Sequence, residues 1–170
     1  MLYVSEQDTP PSSAFSIAFF NTVFNSFNTI FSLWTATSQA PSLGPEESVL
    51  QSPAIMVGAG LYLTGILIEF VSELQRTLFK KNPANKGKPY SGGLFALARH
   101  INYGGYTIWR SAYAFTAAGW PWGLVVFSFF FYDFASRGVP VLDQYLSDRY
   151  GEEWKSIKTQ VPCRLIPGVY

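Results

Sequence analysis

Three long runs of this 170-residue chain carry almost no charge, and nothing else in the sequence restricts its fold as much. Ala14 to Thr37 has no charged residue and Ala54 to Val71 has only Glu69. Gly104 to Phe134, about thirty mostly apolar and aromatic residues, has only Arg110 and Asp133. Roughly 20 such residues suffice for a transmembrane helix. Charged residues make up 14% of the chain and aromatics 18%, whereas about 25% charged is ordinary for a soluble domain. The third run is too long for one untilted span. Gly119-Trp120-Pro121-Trp122-Gly123 interrupts it near the middle, where Pro and Gly favour a break. Two helices, 101–118 and 122–135, are therefore expected to cross and return through a tight turn with interfacial tryptophans.

The charges that remain orient these spans. All twelve Lys and Arg lie from Arg76 onward, which argues against a secretory signal or a mitochondrial presequence at the N-terminus. Arg76, Lys80, Lys81, Lys86 and Lys88 follow the second span with no acid among them, so this loop should be cytosolic. Both termini are then cytosolic too, with the loop at 38–52, punctuated by Pro41, Gly44-Pro45 and Glu46-Glu47, on the far side. In a eukaryote the endoplasmic reticulum is the expected membrane. The basic residues adjoin apolar spans rather than forming a broad patch, so nucleic acid is not an expected partner. A single cysteine, Cys163, excludes an internal disulfide framework and a Cys-based zinc site. No metal site is expected, and the sequence leaves the oligomeric state open.

Polar residues inside the runs need partners. Asn21, Asn25 and Asn28 recur at spacings of four and three, which puts their amides on one helical face for interhelical hydrogen bonding. Arg110 must face a cavity or pair with an acid, and Asp133 is a candidate partner. Glu69 and Glu73 lie one turn apart. Val139 to Tyr150 places Val141, Leu142, Tyr145, Leu146 and Tyr150 on one face, with Asp143, Ser147 and Asp148 on another. It reads as an amphipathic surface helix closed by Gly151. The fold class is thus all-α: an integral membrane helical bundle of about four spanning helices plus a C-terminal amphipathic helix. Its parts are a polar tail (1–13), an N-terminal membrane helix with a non-cytosolic loop (14–53), and a main membrane domain (54–170).

Chemistry concentrates around Arg99-His100-Ile101-Asn102-Tyr103, which contains the sole histidine. A cation, a ring nitrogen, an amide and a phenol at a membrane edge form a cluster suited to an anionic or nucleotide-bearing ligand. Three motifs in order carry a family resemblance: Gly65-x3-Glu69-x3-Glu73-x-Gln75-x3-Phe79-Lys80, Gly92-Gly93-Leu94-Phe95, and Arg99-His100-x-Asn102-Tyr103-x-Gly105. The tail Gly138-Val139-Pro140-x-Leu142-x7-Tyr150-Gly151, with Leu165-Ile166-Pro167, extends it. From about residue 60 to 168 the chain resembles a membrane family similar to the C-terminal half of steroid 5-alpha-reductases. The Arg-His-x-x-Tyr-x-Gly pattern is shared with isoprenylcysteine carboxyl methyltransferases and phospholipid methyltransferases.

The resemblance implies a cytosolic NADPH site built from Glu73, Lys80, Arg99, His100, Asn102, Tyr103 and Gly105. Asn102 stands where an asparagine contacts the cofactor, Glu73 near the adenosine, and Lys80 near phosphate. Asp143 stands where the methyltransferases carry a glutamate pair that helps close the cofactor pocket. Departures are Ile101 for the usual proline, Tyr106 for an acid and Arg110 for a tryptophan. The reductases carry their catalytic acid and tyrosine in an N-terminal half that is only fifty-odd residues here, so no catalytic residue is assigned. The function implied is a membrane oxidoreductase that reduces a conjugated C=C bond of a lipophilic, sterol- or isoprenoid-like substrate with NADPH. One alternative is an S-adenosylmethionine-dependent membrane methyltransferase acting on a lipid or prenyl-cysteine. The other is a non-catalytic membrane descendant.

Overall fold

A computed structural model describes residues 11–39 and 52–170. The polar tail before residue 11 and most of the loop at 38–52 lie outside them. Among the described residues the chain is helical, without strands: α1 (Pro11–Gln39), α2 (Pro53–Lys81), α3 (Ile101–Asp133), α4 (Val139–Tyr150) and α5 (Glu152–Gln160). Short 3₁₀ turns occupy Pro83–Asn85 and Gly93–Ala96, and a π-helical turn at Phe134–Gly138 joins α3 to α4.

Two helical stretches, Pro53–Lys81 and Ile101–Tyr150, are long and apolar enough to cross a membrane. Only 11% and 28% of their most apolar windows are buried inside the molecule. Their apolar surface faces outward, with Met56, Leu63, Leu67 and Leu78 all more than half exposed. That is a liability in water and appropriate in lipid. Helix α1 is less apolar but conceals its hydroxyls. Ser16, Thr22, Thr29 and Thr37 each donate to the carbonyl four residues earlier, as polar side chains in apolar helices commonly do.

The break expected in the third run is present. Ala118 leaves helical geometry and Gly119 has φ 80°, ψ −177°, a conformation essentially restricted to glycine. Pro121 begins the return without needing an N–H acceptor. The limbs then press together, since a Cβ on Gly123 would lie 2.7 Å from Phe115 Cβ. The first limb packs along α2 through Gly65 and Gly105. A Cβ on Gly65 would stand 2.5 Å from Trp109 N, and one on Gly105 would stand 2.7 Å from Gly65 O. Small residues let the backbones approach that closely.

Two of the three asparagines of the α1 stripe do what their spacing implies. Asn28 Oδ1 accepts from Trp122 Nε1 at 2.7 Å, and Asn25 Oδ1 accepts from Arg110 at 3.0 Å. Two expectations need correction. Helix α2 continues to Lys81, so Arg76, Lys80 and Lys81 stand on a helix rather than in a loop. Leu74, Leu78 and Phe79 keep the helix apolar through that segment. Asp133 is not the partner of Arg110: it takes both its hydrogen bonds from Arg137, one turn on. Arg110 instead donates to Asn25 and to the Tyr106 hydroxyl, with its guanidinium 5.1 Å from the Trp109 ring centroid. Cation–π contact and neutral acceptors stand in for a counter-ion.

Candidate functional site

The close approach of α2 and α3 at Gly65 and Gly105 brings the carboxylates of one helix against the amide and indole of the other. Glu73 Oε1 accepts from Asn102 Nδ2 at 2.8 Å, a buried contact. Arg76 approaches both Glu73 oxygens from the next turn at 2.6–2.7 Å. One turn earlier, Glu69 Oε2 accepts from Trp109 Nε1 at 2.6 Å. The pairing of Glu69 and Glu73 on one face was legible in the sequence; the partner of each was not.

Arg99 and His100 are held from three directions. Their backbone N–H groups donate to Cys163 O and Arg164 O, at 3.0 and 2.7 Å, so the C-terminal segment seals the start of α3. Asp143 of α4 meets both side chains, with Oδ1 3.0 Å from His100 Nε2 and Oδ2 3.4 Å from Arg99. Arg99 also donates to Val161 O at 2.7 Å. Trp154 of α5 lies against the His100 ring, and His100 is only 2% exposed. Two buried donors in this cluster, Arg99 Nε and Trp154 Nε1, have no acceptor among the described residues. An unmet buried N–H costs about 1–3 kcal/mol, so the cluster is left short of acceptors.

Two cavities flank these residues. One, of about 760 Å³, is lined by Arg76, Lys80, Arg99 and Arg149, by His100, and by aromatic rings including Tyr90, Phe95 and Trp154. Lys80 is held by neutral acceptors, the Tyr150 hydroxyl at 2.7 Å and Lys88 O at 3.0 Å. The other, of about 820 Å³, is lined by Phe20, Tyr106, Trp109, Phe129, Phe130 and Phe134, with Glu69 and the Asp133–Arg137 pair. Glu73, Asn102 and Tyr103 line both and form the wall between them, together with Ile17 of α1. Both volumes are in the range of small-molecule sites. Tyr103 is braced in that wall by stacking on Phe134, centroids 4.6 Å apart.

Six residues singled out in the sequence, Glu73, Lys80, Arg99, His100, Asn102 and Tyr103, thus line one cavity. Two do not. Asp143 stands behind the cavity and holds His100 and Arg99 in place. Gly105 sits in the helix crossing, where a Cβ would strike Gly65 O and Glu69 N. Sequence reading missed Arg76 and Trp154 as members. Arg76 was placed in a loop, and Trp154, 54 residues from His100, has no local pattern that marks it.

Comparison with known proteins fits this architecture. A probable O-methyltransferase of Ustilaginoidea virens is 41% identical over 88% of this chain and 52% of its own length. A delta(14)-sterol reductase of Gibberella zeae is 25% identical over 65% of this chain and 33% of its own length. The chain therefore spans about half of one curated relative and a third of the other. With residues 6–161 matched, the chain belongs to the family described as Protein of unknown function (DUF1295), a steroid 5-alpha-reductase-like family.

Proposed function

We propose that this protein is a membrane oxidoreductase that uses NADPH to reduce a conjugated C=C bond of a lipophilic, sterol- or isoprenoid-like substrate. One observation carries the reading: a cationic cavity and an aromatic cavity share a wall made of Glu73, Asn102 and Tyr103. Among the described residues, four cations line the first cavity beside a single carboxylate, Glu73. The second is aromatic, and its acids Glu73 and Asp133 are each paired with an arginine. A polyphosphate ligand is favoured on the first side, where cations are in excess. A neutral apolar ligand is favoured on the second.

The residues present fit a phosphate-bearing dinucleotide. Arg99 Nε and Trp154 Nε1 lack acceptors, and phosphate supplies acceptors. Among the described residues the Lys80 charge meets only neutral groups. Bound NADPH would supply a hydride to the substrate. The chain's part is to bind and orient. Lys80, Arg76 and Arg99 would offset phosphate charge, and Tyr90, Phe95 and Trp154 would offer faces to flat rings. Asn102, fixed by Glu73, would stand at the junction of the two ligands. Asp143 and Gly105 would act indirectly, by holding His100 and by setting the α2–α3 distance. The remaining expectations join this reading: four spans (α1, α2 and the two limbs of α3), both termini cytosolic, and α4 on the cytosolic surface.

A second reading has one specific observation behind it, the 41% identity to a probable O-methyltransferase. On that reading the same cavity takes S-adenosylmethionine, which has no phosphates. Lys80→Ala separates the two. Loss of one charge-assisted contact, about 1.5–3 kcal/mol, predicts NADPH affinity weaker by roughly 10- to 100-fold, with S-adenosylmethionine affinity nearly unchanged. Cofactor fluorescence and calorimetry on purified protein measure both. If the wild-type protein binds S-adenosylmethionine and not NADPH, the reductase reading is wrong. If it binds neither, the non-catalytic alternative stands.

A further inference from the structure

We infer that Glu69 is the proton donor of this site; the inference rests on the reductase reading above. Reduction of a conjugated C=C bond needs two deliveries. The π bond breaks and one carbon gains a hydride, with its electron pair, from the reduced dinucleotide, which leaves oxidised. The neighbouring carbon gains a proton from an acid, which is left as its conjugate base. The donor must therefore stand in the apolar cavity, on the substrate side of the wall.

Among the described residues three carboxyl groups line that cavity, and their partners distinguish them. Glu73 is met by Arg76 on both oxygens and by Asn102 as well. Asp133 is met by two N–H groups of Arg137. Both are ion-paired, with a cation within 3 Å. Glu69 forms no ion pair among the described residues. Among the described residues, the one hydrogen bond of its side chain is the Trp109 indole N–H on Oε2, which leaves Oε1 able to carry a proton. The indole serves both states of the group: it donates to the carbonyl oxygen of the acid and to the carboxylate that remains after transfer.

Position agrees with this role. Glu69 lies one helical turn from Glu73 on the same face of α2, so the proton would come from beside the wall and the hydride from across it. Tyr103 and Tyr106 also line the chamber, but a phenol is intrinsically a far weaker acid than a carboxyl group. This acid belongs to α2, not to the N-terminal stretch in which the reductase resemblance would put one.

The test uses full-length protein in lipid nanodiscs, with Glu69→Gln as the variant and a delta(14)-unsaturated sterol as the probe substrate. Three quantities are read: NADPH binding by fluorescence, NADPH oxidation, and the infrared stretch of a neutral carboxyl at neutral pH. We expect NADPH binding within twofold of wild type, because Glu69 does not line the cationic cavity. Oxidation should fall at least about 100-fold, as for loss of a general acid. A neutral-carboxyl band of the wild type should vanish in the variant. Wild-type rates in Glu69→Gln would overturn the inference. So would a wild-type spectrum from which the substitution removes no neutral-carboxyl band, and that arm decides the matter even if the sterol is not turned over. Failure of the wild type to bind NADPH is a separate result: it removes the reductase reading and the inference with it.

Discussion

Replacing Gly105 with alanine tests whether the helix crossing sets the geometry of the site. A Cβ there would lie 2.7 Å from Gly65 O and 2.8 Å from Glu69 N, both backbone atoms that cannot rotate away. The nearer contact is roughly 0.7 Å shorter than the 3.4 Å at which such contacts become ordinary. α2 and α3 must part by a comparable distance. Overpacking of this kind costs about 1–3 kcal/mol, and the better helix propensity of alanine returns about 0.5–1 kcal/mol. The expected net loss is about 1–2 kcal/mol. The displacement falls at Glu69 N, so the Glu69–Trp109 and Glu73–Asn102 hydrogen bonds stretch with it. Gly60→Ala is the control. A Cβ at Gly60 meets nothing within 4 Å, so only the propensity gain remains. Equilibrium unfolding by SDS titration, followed by tryptophan fluorescence, measures both variants. Gly105→Ala should unfold at lower SDS than wild type and Gly60→Ala at equal or higher SDS. The reverse order would refute the close approach.

Two further outcomes follow from contacts between distant segments. Asp143→Asn removes the carboxylate that meets both Arg99 and His100 while keeping side-chain shape, and should cost about 2 kcal/mol. In a double-mutant cycle with His100→Gln, a coupling of about 0.5–3 kcal/mol is expected; strict additivity would exclude the pair. Asn28→Ala should destabilise by about 0.6–1.7 kcal/mol. Trp122→Phe should then add little hydrogen-bond loss in that background, because the indole N–H has already lost its acceptor.

The parts of the fold that were legible in the sequence are those written in local pattern. Uncharged length marked α1 and α2, Gly119 and Pro121 marked the turn in α3, and the asparagine spacing marked the face of α1 that meets α3. The reach of α2 to Lys81 was hidden because Arg76, Lys80 and Lys81 read as the end of an apolar run, although the helix continues beyond its lipid-facing part. Within the site, Arg99-His100-x-Asn102-Tyr103 stood out through residue type and order. Its partners did not, because each arrives from another element: Glu73 from α2, Asp143 from α4, Trp154 from α5, and the carbonyls of Cys163 and Arg164 from the tail. Periodicity carries no information about such pairings. The misassigned partner of Arg110 has the same origin, since Asp133 had a nearer cation in Arg137.

The turn at Gly119 also fixes how this chain meets the thickness of its bilayer. From Trp120 the helical path runs on through the π-helical turn at Phe134–Gly138 and α4 to Tyr150. Its first part, 120–133, rises about 21 Å at 1.5 Å per residue, against a hydrocarbon layer about 30 Å thick. On the proposed topology, Asp133, Arg137 and the aromatic cavity that they line therefore lie at the depth of the acyl chains. A lipophilic molecule dissolved in the membrane would then reach Glu69 by sideways diffusion, without first entering water.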